Sequence, residues 1–398
     1  MQLEIRKAKS EEMDDFKRVV RTALMFPSPA PDYPGTELTL CAFIDGKLVT
    51  SYAALPMTIA INGGDVPFAG VTAVGTLPVA RRLGCLRKVT ARHFELLHEE
   101  GERPVTALYA TRAAIYHRYG YSSVVTSDSY TVEPRDIQFI AGWEPGSNFR
   151  EARETDISVF SDLYNRFIEK RTGYLRRNED MWKRQLVPSK REGRENYAVI
   201  YEEESGPQGY VLYTTTPLPP GRSKWGSNIS IRDFIWLTPS AYRSIWEFFS
   251  RMDIITEVTW GQAPIDDPLP HLLIEPRRLN QKQSDGLYGR IVDVEKAMDK
   301  RGYDEEGTLI FKVTDELCPW NSGTWRLDTS PDGATIKQTG ESAQVEIPIS
   351  TLGLLYFGQL SATEAGRMGR LEVLEPGNLS TWDKVMSTVY RPACANHF

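Results

Sequence analysis

Residues 74–87 hold the chemistry that is easiest to name. They run Val74, Gly75 and Thr76, then Leu77-Pro78-Val79-Ala80, then Arg81-Arg82-Leu83-Gly84-Cys85-Leu86-Arg87. A strand pattern ends, a short loop carries two arginines and a glycine, and an amphipathic helix pattern begins. A helix N-terminus exposes unpaired N–H groups and a partial positive charge. Gly84 permits close backbone approach, and the arginines add charge-assisted bonds. Together they make a pyrophosphate site. GxxxxGK[ST] is absent, which excludes a P-loop, and GxGxxG is absent, which excludes a dinucleotide fold. The plainer alternative is an ordinary strand–helix turn with surface arginines. A second stretch follows at Ala110-Thr111-Arg112-Ala113-Ala114-Ile115-Tyr116-His117-Arg118-Tyr119-Gly120-Tyr121. It reads as a strand end, a short helix carrying Tyr116, and an aromatic–glycine–aromatic step. Alone, Tyr116 could equally be a half-buried aromatic of that helix.

Metal and thiol chemistry find no comparable pattern. Cys41, Cys85, Cys318 and Cys394 form no CxxC and read as free thiols of a reducing cytosol. The histidines are scattered, whereas zinc wants clustered ligands. His93 and His98 are five apart and do not share a helix face.

The elements that must position these residues follow from punctuation and periodicity. Ser10 with Glu11 and Glu12 opens a helix to Leu24, and a proline-rich loop follows. Leu38–Ile44 and Leu48–Ile59 read as strands around the hairpin dipeptide Asp45-Gly46, and Asn62-Gly63-Gly64 marks a second turn. Val71–Thr76 is a strand, and 86–100 a helix. Val105–Ala110 is a strand, Ala113–Arg118 a short helix, and Val124–Val132 a strand. That is a mixed α/β domain. After a connector at 136–150, helices at 155–170 and 178–186 precede strands at 196–202, 209–215 and 230–237. A helix at 239–250 and a strand at 254–260 complete an order that loosely repeats the first domain, with no residue-level repeat. Asp266-Asp267-Pro268-Leu269-Pro270 is a break. Strands at 308–314, 324–328 and 343–347 with helices at 349–356, 361–366 and 378–388 read as a third, compact α+β domain.

Composition agrees with three soluble domains. The chain has 398 residues, 41% apolar and 25% charged, with a net charge of −6, which argues against a nucleic-acid wrapper. The N-terminus carries charges where a signal peptide needs an apolar core. The longest uncharged stretch near a candidate span, Val66–Ala80, is too short to cross a membrane. A cytoplasmic protein is expected.

The two stretches, in this order, resemble the acyl-CoA loop and the tyrosine helix of the GCN5-related N-acetyltransferase (GNAT) superfamily. The whole chain resembles the enhanced intracellular survival (Eis) acetyltransferase family. Asp267-Pro268-Leu269-Pro270-His271-Leu272-Leu273, Asp285-Gly286-Leu287-Tyr288-Gly289-Arg290-Ile291-Val292-Asp293-Val294 and the aromatic Phe398 add to that match. The resemblance implies two tandem GNAT-like domains, 1–140 and 141–288, followed by a sterol-carrier-protein-like domain, 289–398. It implies an acetyl-CoA-dependent N-acetyltransferase, commonly hexameric. Its substrate would be a small cationic amine such as an aminoglycoside, or a peptide lysine. A non-catalytic acyl-CoA or lipid-binding protein on the same fold is the competing expectation.

By the same resemblance, Tyr116 protonates the departing thiolate and the terminal carboxylate of Phe398 takes the amine proton. An α-carboxyl is ionised but weak as a base, and burial beside an apolar ring would strengthen it. A backbone N–H among Val74, Gly75 and Thr76 would polarise the thioester. Arg82, Leu83, Gly84, Cys85, Leu86, Arg87, Thr111 and Arg112 would hold the cofactor, with no metal. Residues 26–37, including Phe26 and Asp32, would line the amine pocket. Two departures stand out: His397 where relatives often have an acid, and Arg112 where some have one.

Overall fold

The computed structural model describes residues 2–25, 39–144, 146–186, 195–218 and 226–398. The first region contains β1 (Leu3–Arg6), α1 (Met13–Leu24), β2 (Leu40–Ile44), β3 (Lys47–Ile61), β4 (Gly64–Thr76), α2 (Cys85–Glu100), β5 (Val105–Tyr109), α3 (Ala113–Tyr116) and β6 (Ser122–Ser123). Next come β7 (Thr126–Val132), β8 (Phe149–Glu151), α4 (Ile157–Ile168), α5 (Glu179–Leu186), β9 (Glu195–Glu203), β10 (Gly206–Pro217), β11 (Ser227–Trp236), α6 (Pro239–Ser250), β12 (Ile255–Ala263), α7 (Leu269–Leu272) and β13 (Lys282–Asp285). The last region holds β14 (Leu287–Ile291), α8 (Val294–Lys300), β15 (Gly307–Thr314), β16 (Gly323–Ser330), β17 (Gly333–Gln338), β18 (Val345–Pro348), α9 (Ile349–Tyr356), α10 (Ala362–Arg367), β19 (Glu372–Val373) and α11 (Leu379–Val385).

Three sheets result, with strand orders β1-β2-β3-β4-β5-β14-β6, β13-β7-β12-β11-β10-β9-β8 and β17-β16-β15-β18-β19. The chain divides into two compact units. One comprises 1–125, 286–388 and 396–398, and the other 126–285 and 389–395. The first and third sheets therefore share a unit. Among the described residues no helix is long and apolar enough to cross a membrane.

The hairpins of the first sheet form where their dipeptides allow positive φ. Asp45 and Gly46 take 48° and 78°, and Asn62 and Gly63 take 48° and 94°, as two-residue hairpin turns require. Alternation along β2 then sends Leu40 and Ala42 to one core and Cys41 and Phe43 to the other. The first core is closed by Val89, Phe94 and Leu97 of α2, the second by Phe16, Val19 and Val20 of α1. His93 also points into the α2 core and hydrogen-bonds the Tyr52 hydroxyl at 3.0 Å. His98 instead meets Asp293 at 2.9 Å and stacks on Trp320, so the two histidines serve different neighbours. All four cysteines are buried, and Cys41, Cys85 and Cys318 are free thiols.

Strand pairing departs from the expected boundaries at two places. The strand expected at 124–132 is broken. Val124 and Val125 both donate their N–H to the Leu287 carbonyl, at 2.9 and 3.1 Å, and only Thr126–Val132 continues as a strand, in the second sheet. β14 spans the boundary placed at 288 and belongs to the first sheet, antiparallel to β5 with Leu287 opposite Tyr109 and Ile291 opposite Val105. The physical reason is burial. Every residue of β14 is buried, and a strand flanked on both edges satisfies its N–H and C=O groups without water. Further departures include the start of β4 at Gly64, well before Val71; β17, which pairs with β16; and α8, capped by Asp293, which accepts from Lys296 N at 3.0 Å.

The last region docks on the first within the same unit. Arg290 on β14 is fully buried and pairs with both oxygens of Asp315, at 2.7 and 3.0 Å. The same guanidinium donates to the Tyr119 carbonyl at 2.7 Å and to the Ile291 carbonyl. Backbones also meet closely. A Cβ on Gly64 would lie 2.1 Å from the Lys300 carbonyl oxygen, and one on Gly302 would lie 2.0 Å from that of Asn62, so both positions need glycine.

Candidate active site

β4 and β5 run parallel and pair from Phe68–Val105 to Val71–Leu108. Both continue beyond that point without pairing, so the edge of β4 over 72–76 that faces β5 carries no ladder. The register of β4 against β3 also slips: Ser51 is opposite Gly75, but Ala53 is opposite Thr72. Ala73 sits at the slip with φ of 51°, a bulge that re-aims local side chains and backbone groups. The Ser51 hydroxyl clamps it, lying 2.9 Å from the Ala73 carbonyl and 3.4 Å from that of Gly75. Sequence reasoning located the segment but not the bulge, because an alanine there advertises no positive φ.

Gly75 has a packing reason. A Cβ there would lie 2.7 Å from the Ala23 Cβ on α1. Gly84 has a conformational one. It takes φ of 79° as N-cap of α2, with open space where a Cβ would be. No side chain caps this helix, and the first bond it makes is Lys88 N to the Gly84 carbonyl at 3.1 Å. The N–H groups of 85–87 are therefore left to a ligand or water. Arg82 also adopts a left-handed φ of 66°. Arg81 ties the loop down through the Thr76 and Ala23 carbonyls, at 3.4 and 3.3 Å.

These elements surround a cavity of about 1240 Å³. Its lining includes Val74, Gly75, Thr76, Arg82, Gly84, Cys85, Leu86, Arg87, Thr111, Arg112 and Tyr116, eleven residues that the sequence singled out. Leu83 does not line it; the side chain is 44% exposed. Phe398 does not line it either. The lining also takes in residues that sequence reasoning passed over: Ala23 and Leu24 from the end of α1, Ala114, Ile115, Arg81, Arg118, Tyr119 and Glu316. The two arginines lie inside the quoted motifs, so charge alone could have flagged them. Glu316, beyond β15, could only be found by folding the chain. Among the described residues five lining arginines face one glutamate, so this lining is cationic although the chain is acidic overall. Low-dielectric walls focus such a field on polyanions.

Tyr116 is 7% exposed, and its hydroxyl makes no hydrogen bond among the described residues. Burial, reinforced by the neighbouring Tyr121 and Tyr119, holds its pKa well above that of a free phenol. It is thus protonated at neutral pH, the state a proton donor needs.

Phe398 lies where β4 and β5 are still paired. Its ring sits 5.8 Å from that of Phe68 and 5.6 Å from that of Tyr109. A Cβ on Gly70 would come within 2.9 Å of the Phe398 ring, so Gly70 makes room for it. The Tyr109 hydroxyl anchors the tail by donating to the Asn396 carbonyl at 2.5 Å. The His397 ring lies 4.5 Å from the Tyr109 ring, and burial lowers its pKa. Phe26 and Asp32 lie outside the described residues.

Comparison with known proteins follows the same three-part division. Residues 4–124 and 173–291 each match a family model described as an acetyltransferase (GNAT) domain, and residues 294–395 match a sterol carrier protein domain. An uncharacterized N-acetyltransferase of Streptomyces avermitilis is 29% identical over 354 residues, covering 86% of this chain and 85% of that one. N-acetyltransferase Eis of Mycobacterium bovis is 28% identical over 371 residues, covering 89% of this chain and 84% of that one. The crystal structure of Eis1 from Mycobacterium abscessus matches over 100% of both chains with a TM-score of 0.84 and 26% identity. A GCN5-related N-acetyltransferase from Anabaena variabilis matches equally fully at a TM-score of 0.85, and at 23% identity it speaks for the fold alone.

Proposed function

We propose a mechanism from one premise: the chain belongs to the Eis family of GNAT-type N-acetyltransferases. The donor is acetyl-CoA and the acceptor a primary amine of a small polyamine such as an aminoglycoside, or of a peptide lysine. The observation that carries the reading is the cationic cavity that gathers Tyr116, the unpaired edge of β4 and the uncapped start of α2.

The N–H groups of 85–87 and the side chains of Arg82 and Arg87 bind the pyrophosphate. Thr111 and Arg112 hold the pantetheine end against β5. The thioester carbonyl lies where β4 and β5 part, and a backbone N–H of Val74, Gly75 or Thr76 stabilises the charge that develops on its oxygen. The amine approaches from the paired side, where Phe398 packs against Gly70 and Tyr109. The main-chain carboxylate of Phe398 takes a proton from the ammonium, whose ordinary pKa is about 10.4. The freed nitrogen attacks the acetyl carbon. The C–N bond forms and the C–S bond breaks; the thiolate takes the Tyr116 proton, and the second proton of the attacking nitrogen, lost as the amide forms, restores the Tyr116 phenol. The same reading includes a cytoplasmic homohexamer, which light scattering of the full chain checks for its assembly.

Release of free thiol from acetyl-CoA, measured over a panel of diamines, aminoglycosides and lysine peptides, tests the proposal. Amine-dependent release is expected, and its absence with every amine would overturn the reading. Extending the chain by one glycine after Phe398 moves the carboxylate. It should lower kcat far more than it changes acetyl-CoA affinity; an unchanged kcat removes Phe398 from the mechanism.

A further inference from the structure

The second sheet repeats the corner that builds the cavity of the first. β10 and β11 are antiparallel, β11 and β12 are parallel, and α6 connects the latter pair, as β3, β4, α2 and β5 do. A second cavity of about 370 Å³ lies at this corner. Its walls correspond element by element: the end of α4 in place of α1, the end of β11 in place of β4, the start of α6 in place of α2, and α7 in place of α3.

What differs is chemistry. α6 leaves no pyrophosphate cradle. Pro239 lacks an N–H, and the Thr238 hydroxyl already accepts from Ala241 N at 3.0 Å. In their place stand Arg171 and Arg243 among aromatic rings. Arg171 is 7% exposed. Its guanidinium carbon lies 4.0 Å from the Phe167 ring centroid and 3.9 Å from that of Tyr390. The two rings cover its faces, and cation–π attraction offsets part of the desolvation. Nε of Arg171 and Nε of Arg243 are buried with no hydrogen-bond partner among the described residues. No carboxylate lines the cavity among those residues, and a third arginine, Arg166, also faces it while holding Asp162 at 3.3 Å. Buried cations ordinarily have an anionic partner, and here the cavity is where one would sit.

We infer that this cavity is a second ligand site, for a small oxyanion with an apolar body: an aromatic or aliphatic carboxylate or phosphate monoester. The head lies against the edges of Arg171 and Arg243, where forked N–H groups suit either oxyanion. The body lies against Trp236, Tyr242 and Leu272. A nucleotide-sized donor is excluded by the volume and by the capped start of α6.

Titration calorimetry of the full chain with benzoate, phenyl phosphate and inorganic phosphate, with and without saturating coenzyme A, tests the inference. One equivalent of benzoate or phenyl phosphate should bind, at a Kd on the order of 10⁻⁴ M, whether or not coenzyme A is present. The tighter of the two identifies the head group. Arg171→Lys keeps the charge but loses the fork and should weaken binding at least about tenfold. Arg243→Gln, at a half-exposed position that tolerates change, should weaken it severalfold. The inference falls if neither organic probe binds, if coenzyme A displaces them, or if inorganic phosphate binds as tightly. It also falls if folded Arg243→Gln protein binds as the parent does.

Discussion

Two sheets of this protein turn the same corner, from strand through loop to helix, and end with different sites. In the first, residues 77–84 separate β4 from α2, the loop holds Arg82 and Gly84 at positive φ, and the helix starts without a side-chain cap. In the second, residues 237–238 suffice, and threonine and proline close the helix end. The first corner leaves backbone donors open and becomes a cavity of about 1240 Å³; the second satisfies them and keeps about 370 Å³ among rings and arginines. A shared fold thus says little about shared chemistry. What decides it is which helix N–H groups remain unpaired and how much side chain fills the gap.

The largest effect should come from two buried ion pairs, one in each unit. Arg177 holds Asp233 at 2.5 Å with both side chains essentially inaccessible, and Arg290 holds Asp315. Removing either acid leaves a buried cation and should cost about 3–5 kcal/mol in urea unfolding. The consequences then diverge. Asp315 also accepts from Leu317 N and Cys318 N, both at 3.1 Å, and so positions the turn that carries Glu316. Asp315→Ala should therefore also change KM for acetyl-CoA, whereas Asp233→Ala should not. An equal KM change in both would erase the functional distinction between the corners.

Next in size is the proposed proton donor. Tyr116→Phe should lower kcat on the order of 10²-fold with little change in acetyl-CoA affinity. Tyr242→Phe, in the second cavity, should leave kcat within about twofold. Stopped-flow thiol release measures both. A loss of the same size in Tyr242→Phe would make the second corner catalytic too.

Acid–base behaviour should separate the units by sign. Burial lowers the pKa of His93 to about 3. Between that value and about 6.5 the unfolded chain binds a proton that the folded one does not, so stability is lost as pH falls. Burial raises the pKa of Asp267 to about 7. Its contribution is full below the ordinary carboxyl value and is lost as pH rises through 7. Each slope is at most about 1.4 kcal/mol per pH unit. Hydrogen exchange resolved by unit should show opposite trends near pH 5. His93→Gln should flatten the first and Asp267→Asn the second; parallel trends would contradict both assignments.

The smallest effect concerns single contacts of the proposed cofactor site. Arg82→Ala or Arg87→Ala should raise KM for acetyl-CoA about 3- to 10-fold, less at high salt. Leu83→Ala should leave it unchanged, since that side chain faces solvent. A shift with Leu83→Ala as large as with Arg82→Ala would place the loop differently.

Much of the fold was legible locally. Helical spacing in α1 and α2, the Asp45-Gly46 and Asn62-Gly63 turns, and the α6 pattern act within a few residues, so the sequence displays them directly. The same holds for the site where its parts are contiguous, as in 74–87 and 110–121. Elements escaped notice where their stability comes from distant partners. β14 is five residues long and gains its place by pairing with β5 and β6, and a short buried run shows no partner in its own pattern. Ala73 escaped because a bulge is enforced by Ser51 across the sheet. Arg171 escaped because an arginine between two aromatic rings looks, in sequence, like any surface arginine.

By itself, then, the sequence determined the local elements, the three-part order, the arginine–glycine loop with the tyrosine helix beyond it, and through them the family. Those features depend on backbone preferences and on spacing along one segment, which tertiary packing leaves in place. Only the tertiary structure decided where β4 and β5 part, that Phe398 rests on the vacancy left by Gly70, that the described lining of the first cavity is cationic in an acidic protein, and that a second, aromatic-walled cavity holds two arginine Nε–H groups with no partner among the described residues. Each depends on juxtaposing residues tens to hundreds of positions apart. The free energy of those contacts comes from burial and pairing between segments, which no single segment encodes.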